Sequence, residues 1–308
     1  MQSLHPHRGT IQEYLQELSD PSRYRPDRCP LCHGREPLRA HGFYCRTLID
    51  DMAAQEIDAL FAQTLTGDYD DEAPWTAIHA LRRIGTRDVF EKAAEWCEST
   101  NPLIRARGVD VLAQLGRTAD HHSNNFPEES YSVITRLLRG ETEARPLAAA
   151  IAALGHLDNP LAVPLIANFH SHPSSEVRFD VAFALGCFPN EALSVATLLH
   201  LMQDTDKDVR DWATFGLGVL GNSESAEIRD ALVQGLNDSD EDVREEAMVG
   251  LGKRKDRRVL SVLLPALEQP TMTVRVIEAA YMMLDMQNEH EGWKGDDYAE
   301  ALRERFSL

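Results

Sequence analysis

An apolar residue followed by glycine recurs at a nearly regular interval along this chain, as Ile84-Gly85, Leu115-Gly116, Leu154-Gly155, Leu185-Gly186, Leu217-Gly218 and Leu251-Gly252. The glycines lie 31, 39, 31, 32 and 34 residues apart. Eight residues before three of them an Arg follows a Val, in Val177-Arg178, Val209-Arg210 and Val243-Arg244, and Val274-Arg275 continues the series. A repeat of this length means stacked supersecondary units, none of which can bury its apolar face alone. The long interval holds the polar stretch Ala119 to Pro127, which reads as a loop insertion.

Each unit contains two helical segments. In residues 190–218, Leu193, Ala196, Leu199, Leu201 and Met202 form an apolar stripe that the polar turn Gln203 to Asp208 closes. Val209, Ala213, Gly216 and Leu217 then put small and apolar residues on one helix face at spacings of three and four. The small residues allow close helix approach, and the repeat glycine is expected to take the left-handed conformation that ends a helix. Seven pairs are expected, with second helices ending near 85, 116, 155, 186, 218, 252 and 284. A polar bridge, Asn288 to Asp297, then leads to an amphipathic segment, Tyr298 to Phe306, that caps the stack. The fold class expected is therefore all-α, an α-solenoid over residues 50–308.

The period and the Asp-x-x-Val-Arg…Ala-Leu-Gly pattern resemble the HEAT-like repeats of phycobilisome bilin lyases. A second resemblance runs from Asp208 to Leu263, in Asp-Val-Arg-Asp-Trp-Ala-Thr-Phe and in Lys253-Arg-Lys-Asp-Arg-Arg-Val-Leu-Ser-Val-Leu263. It is to bacterial HEAT-repeat proteins encoded beside polymorphic toxin genes, and implies a protein partner and a scaffold or inhibitor role of the toxin-immunity kind. Such repeats serve many activities, so the fold alone does not give the function.

Charge narrows the partner. Residues 1–49 carry seven Arg, no Lys and five acids, a charge of +2, which leaves 24 basic and 45 acidic residues, −21, for the rest. A body this acidic repels phosphate backbones and suits a partner with a basic surface. No run of 18 apolar residues and no apolar N-terminal core of a secretory signal occur, so a cytoplasmic protein without a membrane role is expected. Cys97 and Cys187 sit in apolar helical context and read as buried, inert thiols.

Residues 1–49 differ in kind. Pro21 to Cys32 and Ala40 to Leu48 resemble the start of insertion-element transposases, where a zinc-binding knuckle lies. The second Cys-x-x-Cys of those relatives is missing, so this segment reads as a truncated appendage, with Met52 as a plausible original start. Cys29, Cys32, His41 and Cys45 still have a spacing that tetrahedral Zn²⁺ accepts, which leaves open a zinc-assisted nucleic-acid function for residues 29–45. No cofactor is expected for the solenoid.

Other constellations weigh less. The turns Asp204-x-Asp206-x-Asp208 and Asp238-x-Asp240-x-Asp242 lack the Gly and Glu of a calcium loop and read as helix caps. Arg178, Arg210, Arg244 and Arg275 are expected to tie neighbouring repeats through acids near Asp208 and Asp242. Deoxyhypusine hydroxylase, a HEAT-like array, needs several His-Glu pairs for its iron; this chain has one, His290-Glu291, and His121, His122, His170 and His172 lack matching acids. That oxidoreductase reading and a bilin-lyase reading stand as alternatives to a non-catalytic scaffold. The candidate partner-binding residues are Phe179, Phe183, Arg210, Asp211, Trp212, Phe215, Arg244 and Glu245, with Trp212, Asp211, Arg244 and Glu245 as the central patch.

Overall fold

The computed structural model describes residues 46–308, with side chains from residue 54 onward. Cys29, Cys32, His41 and Cys45, and with them the zinc expectation, lie outside the described residues. Among the described residues every regular element is helical. In chain order the helices are α1 (Arg46–Gln63), α2 (Glu72–Ile84), α3 (Arg87–Trp96), α4 (Pro102–Ala113), α5 (Pro127–Gly140), α6 (Ala144–His156), α7 (Val163–Ala167) and α8 (Ser175–Gly186). They continue as α9 (Ala192–Leu201), α10 (Lys207–Phe215), α11 (Ala226–Gly235), α12 (Glu241–Lys253), α13 (Leu260–Leu267), α14 (Val274–Met283) and α15 (Gly295–Phe306). Seven pairs and a final helix result, and α10 runs on into a wider π-type turn, Gly216–Leu220.

The residues cluster into two units, one ending at Leu81 and one comprising Arg82–Leu308. In the first, Ile57, Phe61, Ala77, Ile78 and Leu81 are buried, and Trp75 meets the Tyr69 ring edge-on at 6.2 Å. In the second, each second helix packs on the next, α4 on α6, α6 on α8, α8 on α10, α10 on α12 and α12 on α14. The first helices lie against their own partners, and α15 covers α13 and α14 with Tyr298, Ala299 and Leu302 fully buried.

Capping by the turn acids holds. Asp206 accepts from the N–H groups of Asp208 and Val209, Asp240 from that of Asp242, and Asn101, Ser225 and Thr273 cap α4, α11 and α14. Each such cap contributes about 1 kcal/mol. The expected loop insertion is held by Asn125, whose side-chain N–H donates to the Gly85 carbonyl at 2.8 Å.

Several local expectations are corrected. The repeat glycine ends its helix in the left-handed region only at Gly85 and Gly116, with φ of 61° and 85°. In α6 and α12 that conformation falls three residues later, on Asp158 and Lys255. Gly155, Gly186, Gly218 and Gly252 are instead contact points between second helices. A Cβ on Gly155 would stand 2.9 Å from the Ala184 Cα, and one on Gly252 would stand 2.6 Å from the Ala279 carbonyl oxygen. Gly252→Ala is therefore expected to destabilise by about 2 kcal/mol, the overpacking outweighing the helix-propensity gain. Gly140→Ala, with nothing within 4 Å of its added methyl, is expected to be neutral or stabilising by up to about 1 kcal/mol. Urea midpoints check the pair, and equal effects would remove the close-approach role.

The stripe read from sequence holds only at its end, where Leu201 and Met202 are buried. Leu193 and Ala196 are exposed and Leu199 is half-buried, while Ser194, Thr197, Leu198 and Leu201 face the core. The core set has the true three-four helical spacing, and the Thr197 hydroxyl is tolerated there because it donates to the Leu193 carbonyl at 2.8 Å. Val274 does not continue the valine series: it is 78% exposed, and Val276 takes the buried place. Cys97 is buried and its thiol is pushed up to about 12 by that burial, whereas Cys187 is exposed.

Candidate functional site

Counting from the N-cap of each second helix places chemistry on two distinct surfaces. Asp180, Trp212 and Glu246 each stand six residues after a cap, Ser174, Asp206 and Asp240 respectively, so they share one face of α8, α10 and α12. Trp212 is the hub of that face. Phe179, Phe183 and Phe215 meet its indole edge-on with centroids 5.8, 5.2 and 5.6 Å away. All four rings are half-buried. Their geometry is the one the aromatic quadrupole favours. The Arg275 guanidinium sits 5.3 Å from the Phe215 ring centre and pairs with Glu246 at 3.0 Å and Glu278 at 2.8 Å.

The carboxylates on this surface have too few cations. Burial, then Glu176 and Asp110, pushes Asp180 up to about 8. Burial, then Asp242, Asp240 and Asp208, pushes Asp211 up to about 6, and burial pushes Glu246 up to about 7 despite Arg275. Among the described residues Asp180 and Asp211 make no ion pair, and one oxygen each of Asp211 and Glu246 is buried without a hydrogen-bond partner. Because the fold raises these three pKa values above their unfolded values, their contribution to stability is whole below about pH 4 and is lost as pH rises through 6, 7 and 8. The melting temperature is expected to fall as the pH rises from 5 to 9, as these three carboxyl groups lose their protons. Replacing all three by their amides should flatten that limb, and an unchanged slope would contradict the assignment.

The second surface carries the arginine ladder. Arg178 holds both oxygens of Asp204 through Nε (2.6 Å) and Nη2 (2.8 Å), and Arg210 holds Asp238 in the same way at 2.7 and 2.8 Å. Arg105 does so with Glu141 at 2.6 and 2.9 Å, a rung the sequence reading missed. The acids used are the first of each turn, not Asp208 or Asp242, which point to solvent at the start of their own helices. Burial works against Asp204 and Glu141, yet bonds from Arg178, Arg105 and backbone N–H groups hold both below the usual carboxylate range; at Asp238 the Arg210 bond dominates in the same direction. Arg275 leaves the ladder because the register of α14 has slipped by two residues.

The structure thus brings Phe179, Phe183, Asp211, Trp212 and Phe215 together and separates them from Arg210, Arg244 and Glu245. The guanidinium of Arg210 is taken by Asp238, while Arg244 and Glu245 line a cleft between α12 and the α13–α14 turn. Asp180, Glu246 and Arg275 are additions to the aromatic face. Counting six residues from each expected cap would have found the first two.

Among the described residues no three His, Cys, Asp or Glu side chains converge as metal ligands, and no helix is long and apolar enough to cross a membrane. His290 stacks on Trp293 at 4.5 Å, and His170 meets His200 edge-on at 5.1 Å.

Comparison with known proteins agrees with this architecture. Protein YibA of Escherichia coli strain K12 is 29% identical over 254 residues, 80% of this chain and 85% of the relative. The X-ray structure of YibA superposes with a TM-score of 0.62 at 25% identity, covering 89% of this chain and 99% of that one. An engineered protein shares the fold at a TM-score of 0.52 and 19% identity, over 65% of this chain and 96% of its own. The family profile for HEAT repeats matches residues 131–218 and 195–284. With half of its length matched by that profile and the repeat geometry present from Arg105 to Glu278, the chain belongs to the HEAT-repeat family.

Proposed function

We propose that this protein is a non-catalytic scaffold or inhibitor that holds a basic segment of a partner protein against the second-helix face of α8, α10, α12 and α14. One observation carries the reading: a four-ring cluster around Trp212 lies beside Asp180, Asp211 and Glu246, carboxylates that burial keeps partly protonated and that have too few cations of their own. A Lys or Arg entering this face gains a counter-ion and an aromatic surface together. The partner's flanking basic charge is steered by the acidic body. An inhibitor of the toxin-immunity kind, as the toxin-locus resemblance implies, is one form of this role.

The test is a binding titration of the full chain with a Lys/Arg-rich peptide and with its Glu-substituted counterpart. The basic peptide is expected to bind, and the acidic one not. Trp212→Ala combined with Glu246→Gln is expected to weaken binding by about a hundredfold, roughly 3 kcal/mol for an aromatic anchor and a desolvated charge. Equal binding of both peptides, or an unaffected double variant with retained helicity, would remove the face from consideration.

A further inference from the structure

The arginine ladder follows a rule. Each ladder Arg lies four residues after its second helix's N-cap: Arg105 after Asn101, Arg178 after Ser174, Arg210 after Asp206 and Arg244 after Asp240. Each acid it grips lies two residues before the next N-cap: Glu141 before Glu143, Asp204 before Asp206, Asp238 before Asp240. The division of labour is also fixed. Nη1 donates to carbonyls of the arginine's own turn, to Ser99 for Arg105, His172 for Arg178 and Asp204 for Arg210, at 2.8–2.9 Å. Nε and Nη2 then form the fork that takes the carboxylate.

Arg244 keeps the first half of this arrangement and lacks the second. Its Nη1 donates to the carbonyls of Asp238 at 2.9 Å and Ser239 at 3.0 Å, which seats the guanidinium as in the other rungs. The position two residues before the next N-cap, Thr273, is Thr271, which has no carboxylate. Among the described residues no acid pairs with Arg244 and no acceptor meets its Nε or Nη2. In the complete rungs the acid also accepts a backbone N–H from the cap residue, Asp206 to Asp204 at 2.8 Å and Asp240 to Asp238 at 2.9 Å. The equivalent N–H here, that of Thr273, has no acceptor among the described residues either. These donors border a cleft of about 200 Å³ lined by Glu241, Arg244, Glu245, Met248, Thr271 and Thr273.

We propose that this cleft is a carboxylate-binding site that completes the ladder in trans, taking a carboxylate of a bound peptide on Arg244 and the Thr273 N–H. Planar, bidentate recognition by Arg is selective for carboxylate geometry, and the seat is already built by the Nη1 bonds, so little ordering is left for the ligand to drive. The apolar wall at Met248 and the acids Glu241 and Glu245 shape the selectivity. Glu241 and Glu245, which line the same cleft, disfavour a small free anion, whereas a peptide carboxylate brings chain contacts and neutral or basic neighbours that offset them. This site is distinct from the aromatic face and does not depend on it.

The test uses the full chain, titrated by NMR with four ligands: a capped alanine pentapeptide with a central Asp, the same with Asn, an alanine pentapeptide with a free C-terminus, and acetate. Saturable shifts of the Thr271 and Thr273 amides are expected with the Asp or the free-carboxylate peptide, and whichever binds more tightly identifies the source. Arg244→Gln is expected to weaken that binding by about tenfold or more, as loss of a charge-assisted fork implies. Thr271→Asp supplies the acid in cis, and is expected to raise the melting temperature and abolish peptide binding. Equal binding of the Asp and Asn peptides, acetate binding as tightly as the peptides, or full peptide binding by Thr271→Asp would each overturn the proposal.

Discussion

Arg210→Met is expected to destabilise the protein by about 3 kcal/mol, near the lower end of what breaking a buried ion pair costs. Both side chains of the Arg210–Asp238 rung are only 14% and 13% exposed, and the substitution leaves Asp238 desolvated with a single remaining backbone donor, the Asp240 N–H. A double-mutant cycle with Asp238→Asn should return a coupling of about 2 kcal/mol. Two controls make the effect specific. Arg136–Glu98, at 64% and 66% exposure, should yield less than about 0.5 kcal/mol. Arg244→Met, whose fork holds no acid, should cost only about 1 kcal/mol for its carbonyl bonds. Chemical denaturation of these variants checks the series, and an Arg244 effect as large as that of Arg210 would contradict the ladder.

The second large effect is expected at the end of the stack. Tyr298 of α15 is fully buried; its hydroxyl accepts from the His290 N–H at 2.7 Å, and its ring meets Trp293 edge-on at 5.0 Å. Tyr298→Ala should cost about 4 kcal/mol, the range for deleting a buried aromatic ring. Because a terminal element shields the apolar side of its neighbour, loosening α15 should also expose α13 and α14 and promote association. Denaturation midpoints and light scattering together read both consequences. A soluble variant with wild-type stability would show that α15 is not a cap.

What the sequence revealed and what it hid follow from which interactions are periodic. Val177, Val209 and Val243 recur because each fills the same core site, so the pair count and the second helices are legible from spacing. The face of α9 was not, because Leu193 and Ser194 are one residue apart and hydropathy favours the leucine. The Thr197 hydroxyl is tolerable in the core because it bonds to the backbone of its own helix, which composition does not display; the buried Ser194 hydroxyl has no such partner. The repeat glycines looked like helix terminators because a C-terminal Gly usually is one. Only the approach of Ala184 to Gly155 and of Ala279 to Gly252 reveals the other reason for having no side chain. The ladder acids were assigned to the wrong member of each Asp triplet for a similar reason. Asp204, Asp206 and Asp208 are alike in sequence and differ only in whether they face the previous repeat, the helix start or water. At the aromatic face, the four rings were legible as unusual residues, whereas choosing Glu246 over its neighbour Glu245 required the helix rotation that the N-cap sets.

The central claim, that the face around Trp212 receives a basic segment, has a thermodynamic signature. A cation placed among Asp211, at about 6, and Glu246, at about 7, must lower both values and so release protons on binding. Calorimetric titration of a Lys/Arg-rich peptide into the full chain at pH 6.5, in two buffers of different ionisation enthalpy, measures that release. At least one proton per bound peptide is expected, and none for the triple variant Asp180→Asn, Asp211→Asn, Glu246→Gln. Binding heats identical in both buffers, or release that survives the triple substitution, would contradict the account.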